Sequence, residues 1–219
     1  MSKRGPKPKG RVDTTWRAEL AYVVGLIAAD GSLSKNGRHI DFTSKDLEQL
    51  ETYRTCLGLE DIVIGVKKGG APAYNKYHRV QFGDVLFCEW LNNLGLHSNK
   101  SVSIKKVDIP DEYFFDFVRG EWDGDGTIYC SRDTRWKNSY VVSIAFASGS
   151  IDFLEWLQYE INKRLKTTGH IKKGSRVLQL CYARSDSKQL FKAMFYKPDL
   201  PHLHRKFAKA VKIFKMNGL

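Results

Sequence analysis

Val23-Val24-Gly25-Leu26-Ile27-Ala28-Ala29-Asp30-Gly31 and Val118-Arg119-Gly120-Glu121-Trp122-Asp123-Gly124-Asp125-Gly126 are the two stretches whose comparison decides the fold, and their Asp-Gly endings stand 95 positions apart. Each carries small residues four apart, Gly25 with Ala29 and Gly120 with Gly124. Residues i and i+4 share one face of a helix, and a face of small residues lets two helix backbones touch. Gly25, Ala29, Gly120 and Gly124 are therefore expected to form a helix–helix interface, with Asp30 and Asp125 emerging side by side at one end.

Working outward from the first stretch, Thr15–Gly31 has Trp16, Leu20, Val23, Val24, Leu26 and Ile27 at helical spacing, with Thr14 or Thr15 as cap. Leu33–Thr43 reads as a hairpin turning at Lys35-Asn36-Gly37-Arg38, and His39-Ile40-Asp41-Phe42-Thr43 alternates strictly. Asp46–Leu57 is helical, Ile62–Lys68 and Arg79–Phe82 are strands, and Val85–Leu94 is an apolar helix. The order restarts after Pro110 with a helix at Tyr113–Asp125, a hairpin of Thr127–Cys130 with Tyr140–Ala147, and a helix at Ile151–Leu165. Strands at Gly169–Lys173 and Val177–Ala183 and a helix at Ser187–Phe195 complete it. Phe42-Thr43-Ser44 recurs as Phe146-Ala147-Ser148 at an offset of 104, Val66-Lys67-Lys68-Gly69 as Ile171-Lys172-Lys173-Gly174 at 105, and Lys100 as Lys206 at 106. Matches in the same order indicate duplication, and the step in offset after the second motif makes the second hairpin the longer one. The fold class expected is α+β: two pseudo-symmetric αββαββα repeats over 15–108 and 109–219, packed through the motif helices, behind a flexible basic tail at 1–14.

Lys and Arg number 36 against 24 Asp and Glu, a net charge of +12, which points to a polyanionic partner, nucleic acid foremost. The four cysteines are widely spaced with no Cys-x-x-Cys pair, which speaks for reduced intracellular thiols and against a disulfide scaffold or structural zinc. No run approaches the roughly 18 apolar residues of a membrane span, and no apolar segment follows the basic start, so neither membrane insertion nor secretion is expected.

Asp30 and Asp125 each sit where a helix ends, among carbonyls that are already electronegative. For stability alone this is the wrong end for a carboxylate. A divalent cation reverses the sign, and magnesium accepts a site of one or two carboxylates completed by substrate phosphate. No Ser or Cys nucleophile with a neighbouring His is recognisable, and the six histidines show no His-Glu-x-x-His spacing. Asp123-Gly124-Asp125-Gly126 also lacks the further oxygen ligands and closing Glu of a calcium loop.

The two motifs resemble the signature of LAGLIDADG homing endonucleases, the first closely, the second in a degenerate form with Arg119, Glu121 and Trp122 in place of smaller or apolar residues. The resemblance implies antiparallel sheets that form a DNA-binding saddle, and two motifs in one chain imply a monomer. It implies that Asp30 and Asp125 hold the metals, with carbonyls of Ala29 and Gly124 as added ligands. Glu121 and Asp123 are competing acids, but only Asp125 aligns with Asp30. Ser44 and Ser148 fall where the family places polar residues around the metals, and Lys100 and Lys206 where it places cations that stabilise charge on phosphate. Mg2+ is the expected cofactor, with Mn2+ as a substitute and Ca2+ supporting binding without cleavage.

The expected substrate is double-stranded DNA with a long target site. Antiparallel ribbons can read the major groove, and alternation turns His39, Asp41 and Thr43, with Arg38 nearby, and Ser143, Ala145 and Ala147 outward. Lys67, Lys68, Arg79, Lys172, Lys173 and Arg176 belong to the outer strands and turns, where some would contact phosphates. Asp41 on such a surface has to accept from a cytosine amino group or a neighbouring base-reading side chain. Arg132, Arg135, Trp136 and Lys137 would reach flanking DNA. The alternative is a non-cleaving DNA-binding regulator or an RNA-intron maturase on the same fold. Intein splicing is not expected, since the chain does not begin with Cys or Ser and does not finish with His-Asn.

Overall fold

Both motif stretches are helices in the computed structural model, which describes residues 10–67, 77–133, 140–174 and 177–217. Helix α1 spans Ala18–Asp30 and helix α4 spans Phe114–Asp125. Helix α1 begins later than the sequence suggests, because Asp13 Oδ1 accepts from Thr15 N (2.9 Å) in a local turn and Arg17 is still extended. The chain is anchored from Arg11 onward: Arg11 N and Val12 N donate to Asp84 Oδ2 at 2.6 and 3.1 Å, and Val12 is buried. The rest of the expected basic tail, residues 1–9, lies outside the described residues.

The two helices meet backbone to backbone. A Cβ on Gly25 would lie 2.2 Å from Phe117 O, one on Gly120 would lie 2.0 Å from Tyr22 O, and one on Gly124 would lie 2.3 Å from the Ala29 methyl. Ten of the thirteen residues of α1 and nine of the twelve of α4 are buried, the expected state of helices at the centre of a domain. Tyr22 Oη crosses the interface to donate to Asp123 Oδ2 (2.9 Å).

Each central helix runs straight into a strand. Strands β1 (Gly31–Leu33), β2 (His39–Ser44), β3 (Gly65–Lys67) and β4 (Tyr77–Gly83) form one antiparallel sheet in the order β1-β2-β4-β3. Strands β5 (Gly126–Arg132), β6 (Tyr140–Ser148), β7 (His170–Lys173) and β8 (Leu178–Ala183) repeat it as β5-β6-β8-β7. The registers correspond: Gly31 faces Phe42 and Phe42 faces Val80, as Gly126 faces Phe146 and Phe146 faces Leu180. Helices α2 (Leu47–Cys56) and α3 (Val85–Asn93) cover the first sheet, and α5 (Ile151–Leu165) and α6 (Ser185–Met194) the second. Lys100–Val102 is one 3-10 turn, whereas its counterpart is helix α7 (His204–Met216). Ile40, Phe42, Val80 and Phe82 turn inward on the first sheet, and Ile128, Ile144, Phe146 and Leu180 on the second. On the other face of the sheets His39, Gln81, Thr127 and Lys172 are exposed, and among the described residues no helix covers them.

The irregular residues of the second motif hold the α6–α7 connection. The Arg119 guanidinium is fully enclosed, donating to Asp116 Oδ1 (2.7 Å), Met194 O (2.8 Å) and Pro201 O (2.9 Å). Trp122 packs edge-on against Phe191 and Phe195.

Because overpacking that has to move backbone is among the costliest core changes, Gly120→Ala should destabilise the protein by about 3 kcal/mol or more. Ala at Gly65, which a Cβ would leave in open space, should shift stability far less. Urea denaturation of the two variants checks the contrast.

Candidate metal centre and nucleic-acid interface

The Asp-Gly steps are helix-to-strand junctions without a loop. Gly31 (φ −75°) and Gly126 (φ −86°) have ordinary extended backbone, so glycine is not required there for a left-handed turn. It is required for space: a Cβ on Gly31 would lie 2.7 Å from Ile27 Cα, and one on Gly126 2.5 Å from Trp122 O. Asp30 and Asp125 are thereby fixed as the last helical residues.

The two carboxylates converge. Asp30 Oδ2 lies 3.5 Å from where a Gly124 Cβ would stand, beside the residue that precedes Asp125. Both side chains open to solvent, yet the packed helix ends behind them thin out the water that would hydrate a charge. Burial, and then the neighbouring Asp125 charge, push the Asp30 carboxyl up to about 6. Burial likewise raises Asp125, against the pull of Lys206 and Lys100. Asp125 lines a cavity of about 260 Å³ with Ala29, Ser101, Glu121 and Ser148. Asp30 opens onto a separate hollow on the first sheet with His39, Asp41, Thr43, Lys67 and Gln81.

The competing acids are accounted for. Asp123 is buried and its Oδ2 accepts from Tyr22 Oη and from Leu203 N (2.7 Å), so it ties α1 to the start of α7. Glu121 stands where the first motif has Leu26; it is buried, and burial holds its carboxyl well above the usual carboxylate range. Asp125 alone among the second-motif acids from Glu121 to Asp125 reaches solvent.

The two lysines differ. Lys206 Nζ donates to the carbonyls of Trp122 (2.8 Å), Asp123 (2.9 Å), Gly124 (3.0 Å) and Gly126 (2.7 Å). Three N–H groups thus serve four acceptors at the end of α4, and burial lowers the ammonium to about 8. Lys100, also buried, donates to Gly31 O at the corresponding place. Ser44 is buried and donates to Gln49 Oε1 (2.7 Å), whose Nε2 donates to Asp123 O (3.0 Å). Through Gln49, Ser44 therefore braces α2 against α4. Ser148 remains beside Asp125, accepting from Ser150 N (3.1 Å). Gln49 escapes a motif search; its signal is a polar residue on the apolar stripe of α2 with Leu50, Tyr53 and Cys56.

On the open sheet faces, register places His39, Asp41, Thr43, Lys67, Arg79 and Gln81 together. Arg38 is exposed just before β2. On the second sheet Lys172 pairs with Gln179 on the open face, but Lys173 pairs with Leu178 and has the opposite parity. Lys172 and Lys173 therefore point to opposite faces of the sheet, and both are exposed. Ser143 and Ala145 have the expected parity but are only 5% and 1% exposed. The cause is Tyr129, whose phenol reaches from β5 across β6 to Cys181 Sγ on β8 (3.9 Å) and accepts from Lys172 Nζ (3.1 Å). Lys68, Arg135, Trp136, Lys137 and Arg176 lie outside the described residues.

Residues 17–84 match the family model of the LAGLIDADG-like domain. This stretch is a LAGLIDADG-like domain. The whole chain has the two-repeat LAGLIDADG fold, as solved structures show at low identity. The homing endonuclease I-WcaI bound to its DNA recognition sequence superposes with a TM-score of 0.62 at 15% identity, over 86% of each chain. I-SmaMI bound to uncleaved DNA target in the presence of calcium ions gives 0.57 at 16% identity, over 93% of each chain. Full-length DUF199/WhiA from Thermatoga maritima gives 0.52 at 13% identity, over 94% of this chain and 69% of that one. No curated protein sequence matches. Among the described residues, no helix is long and apolar enough to cross a membrane.

The donor set near Asp30 and Asp125 is hard oxygen, two carboxylates beside helix-end carbonyls, which suits magnesium or calcium. Among the described residues no three His, Cys, Asp or Glu side chains gather as a ligand cluster, so such an ion would complete its shell from carbonyls, water and phosphate.

Two outcomes follow. Asp30 and Asp125 bind protons more tightly folded than unfolded, so stability falls as pH rises from about 4 toward 6 and stays lower above it. In chelator, the Asp30→Asn, Asp125→Asn protein should therefore melt above the parent at pH 7, with the gap closing toward pH 4. Lys206→Met should cost about 3 kcal/mol by stranding helix-end carbonyls, and Lys100→Met less, in thermal or denaturant unfolding.

Proposed function

We propose that this chain is a monomeric, site-specific endonuclease that cuts both strands of a long DNA duplex. The observation that carries the reading is the meeting of Asp30 and Asp125 at one end of two touching helices, open to solvent in a strongly basic chain. Asp30 and Asp125 would hold the divalent cation, Mg2+ first and Mn2+ as substitute, with Ala29 O in support. A cation there supplies Lewis acidity toward a phosphodiester and makes water a competent nucleophile near neutral pH.

The chain's own residues do the rest. Burial raises both carboxyls, with the neighbouring Asp125 charge added for Asp30, and a bound cation would favour their ionised form. Lys206 is spent on the carbonyls of α4, so it acts as a positioning residue that keeps Asp125 in place. Lys100, beside Gly31, is the cation placed to offset charge on phosphate. The clear faces of the two sheets, with Arg38, Lys67, Arg79 and Lys172, form the saddle and neutralise backbone phosphates. The DNA-bound state of I-WcaI and I-SmaMI supports duplex DNA as the partner.

The test is a randomised duplex library incubated with the protein in magnesium and sequenced for cut ends. Specific ends on both strands are expected, with Ca2+ supporting binding but no cutting. Asp30→Asn, Asp125→Asn should abolish cutting while duplex binding persists and weakens steeply with salt. Undiminished cleavage by that variant defeats the proposal. Binding without cleavage by the parent protein in Mg2+ and Mn2+ would instead favour a non-cleaving regulator, and preference for structured RNA a maturase.

A further inference from the structure

The two sheet faces are built to the same register but from different chemistry. On the first, Asp41 Oδ1 accepts from Thr43 Oγ1 (2.8 Å), and Asp41 Oδ2 holds Arg79 Nη1 at 3.4 Å. Lys67 Nζ donates to Thr43 Oγ1 at 3.3 Å. Each oxygen of Asp41 thus carries one contact, and Oδ2 orients Arg79. This single contact at Nη1 leaves the other N–H groups of the planar guanidinium for a further acceptor.

On the second sheet the corresponding positions follow from the pairing. Phe42 faces Val80 as Phe146 faces Leu180, so Asp41, Thr43 and Arg79 correspond to Ala145, Ala147 and Gln179. The anchored acid–guanidinium pair is replaced by alanines and an amide. Tyr129 roofs the middle of β6 and fastens Lys172, and Thr127, Ala147, His170 and Gln179 are among the accessible side chains around it.

Resting on the reading of the chain as a DNA-binding endonuclease, we infer that the two half-sites are recognised by opposite base chemistry. Arg79, aimed by Asp41, specifies a G·C pair under β1–β4, and Gln179 with Ala147 specifies an A·T pair at the corresponding distance from the centre under β5–β8. An arginine fork matches guanine O6 and N7, a glutamine amide matches adenine N6 and N7, and alanine meets the thymine methyl.

The experiment is selection of bound duplexes from a randomised library in calcium, sequenced for the parent, Arg79→Gln and Gln179→Arg proteins. The parent should enrich G·C in one half-site and A·T at the equally spaced position of the other. Arg79→Gln should move the first position from guanine toward adenine by about tenfold or more, with the second position unchanged. Gln179→Arg should do the reverse, and Asp41→Asn should blur the guanine preference without touching the other half. Selected duplexes with the same pair at both positions, or an unaltered selection from Arg79→Gln, would overturn the inference while leaving DNA recognition intact. Failure of the parent to retain any duplex would overturn DNA recognition and the inference together.

Discussion

Contact between the backbones of α1 and α4 is the constraint from which the architecture follows. Gly25 sits against the carbonyl of Phe117 and Gly120 against that of Tyr22, at distances where a methyl group has no room. That closeness fixes which ends of the helices coincide, and hence that Asp30 and Asp125 meet. The sheets inherit the arrangement, because each starts from the residue after its aspartate. Dispersion and apolar burial hold the pair together; among the polar contacts, Tyr22–Asp123 sews the same seam.

Electrostatics at this end of the molecule run against folding and are partly compensated within the chain. Two carboxylates and the carbonyls of two helix ends face one another, and Glu121 and Asp123 are buried close behind. Lys100 and Lys206 answer this with buried positive charge, Lys206 by direct bonds to four carbonyls. The compensation is unequal between the halves. The first motif is apolar where the second has Arg119, Glu121 and Trp122, and of these Arg119 and Trp122 support the larger C-terminal structure of α6 and α7. Departure of the second motif from the first is thus explained largely by packing.

Much of this was legible in residue spacing. The i, i+4 pairs of small residues identified the interface, alternation in His39–Thr43 identified which side chains line the open face, and the offsets of Phe42, Val66 and Lys100 identified the repeat. What spacing could not reveal was lateral reach. Parity assigns Ser143 and Ala145 to the open face correctly, but nothing in the sequence shows a tyrosine from β5 crossing over them. Which of Lys172 and Lys173 lies on the open face depended on the pairing with β8. The destination of Ser44 depended on Gln49, a residue whose importance lies in being polar where α2 is otherwise apolar. Burial of a polar side chain is a three-dimensional property and leaves only that faint trace.

Gly31 and Gly126 carry a mechanical consequence. Since each follows its aspartate in ordinary extended backbone, with no intervening loop, there is no slack between carboxylate and sheet. A tilt of β1 or β5 against the central helices is delivered directly to the oxygen atoms one residue away. On the proposed reading of the chain as an endonuclease, a duplex that seats poorly on the strands would pull those oxygens out of alignment, so that fit along the groove and chemistry at the centre would be geared to each other through a single peptide bond on each side.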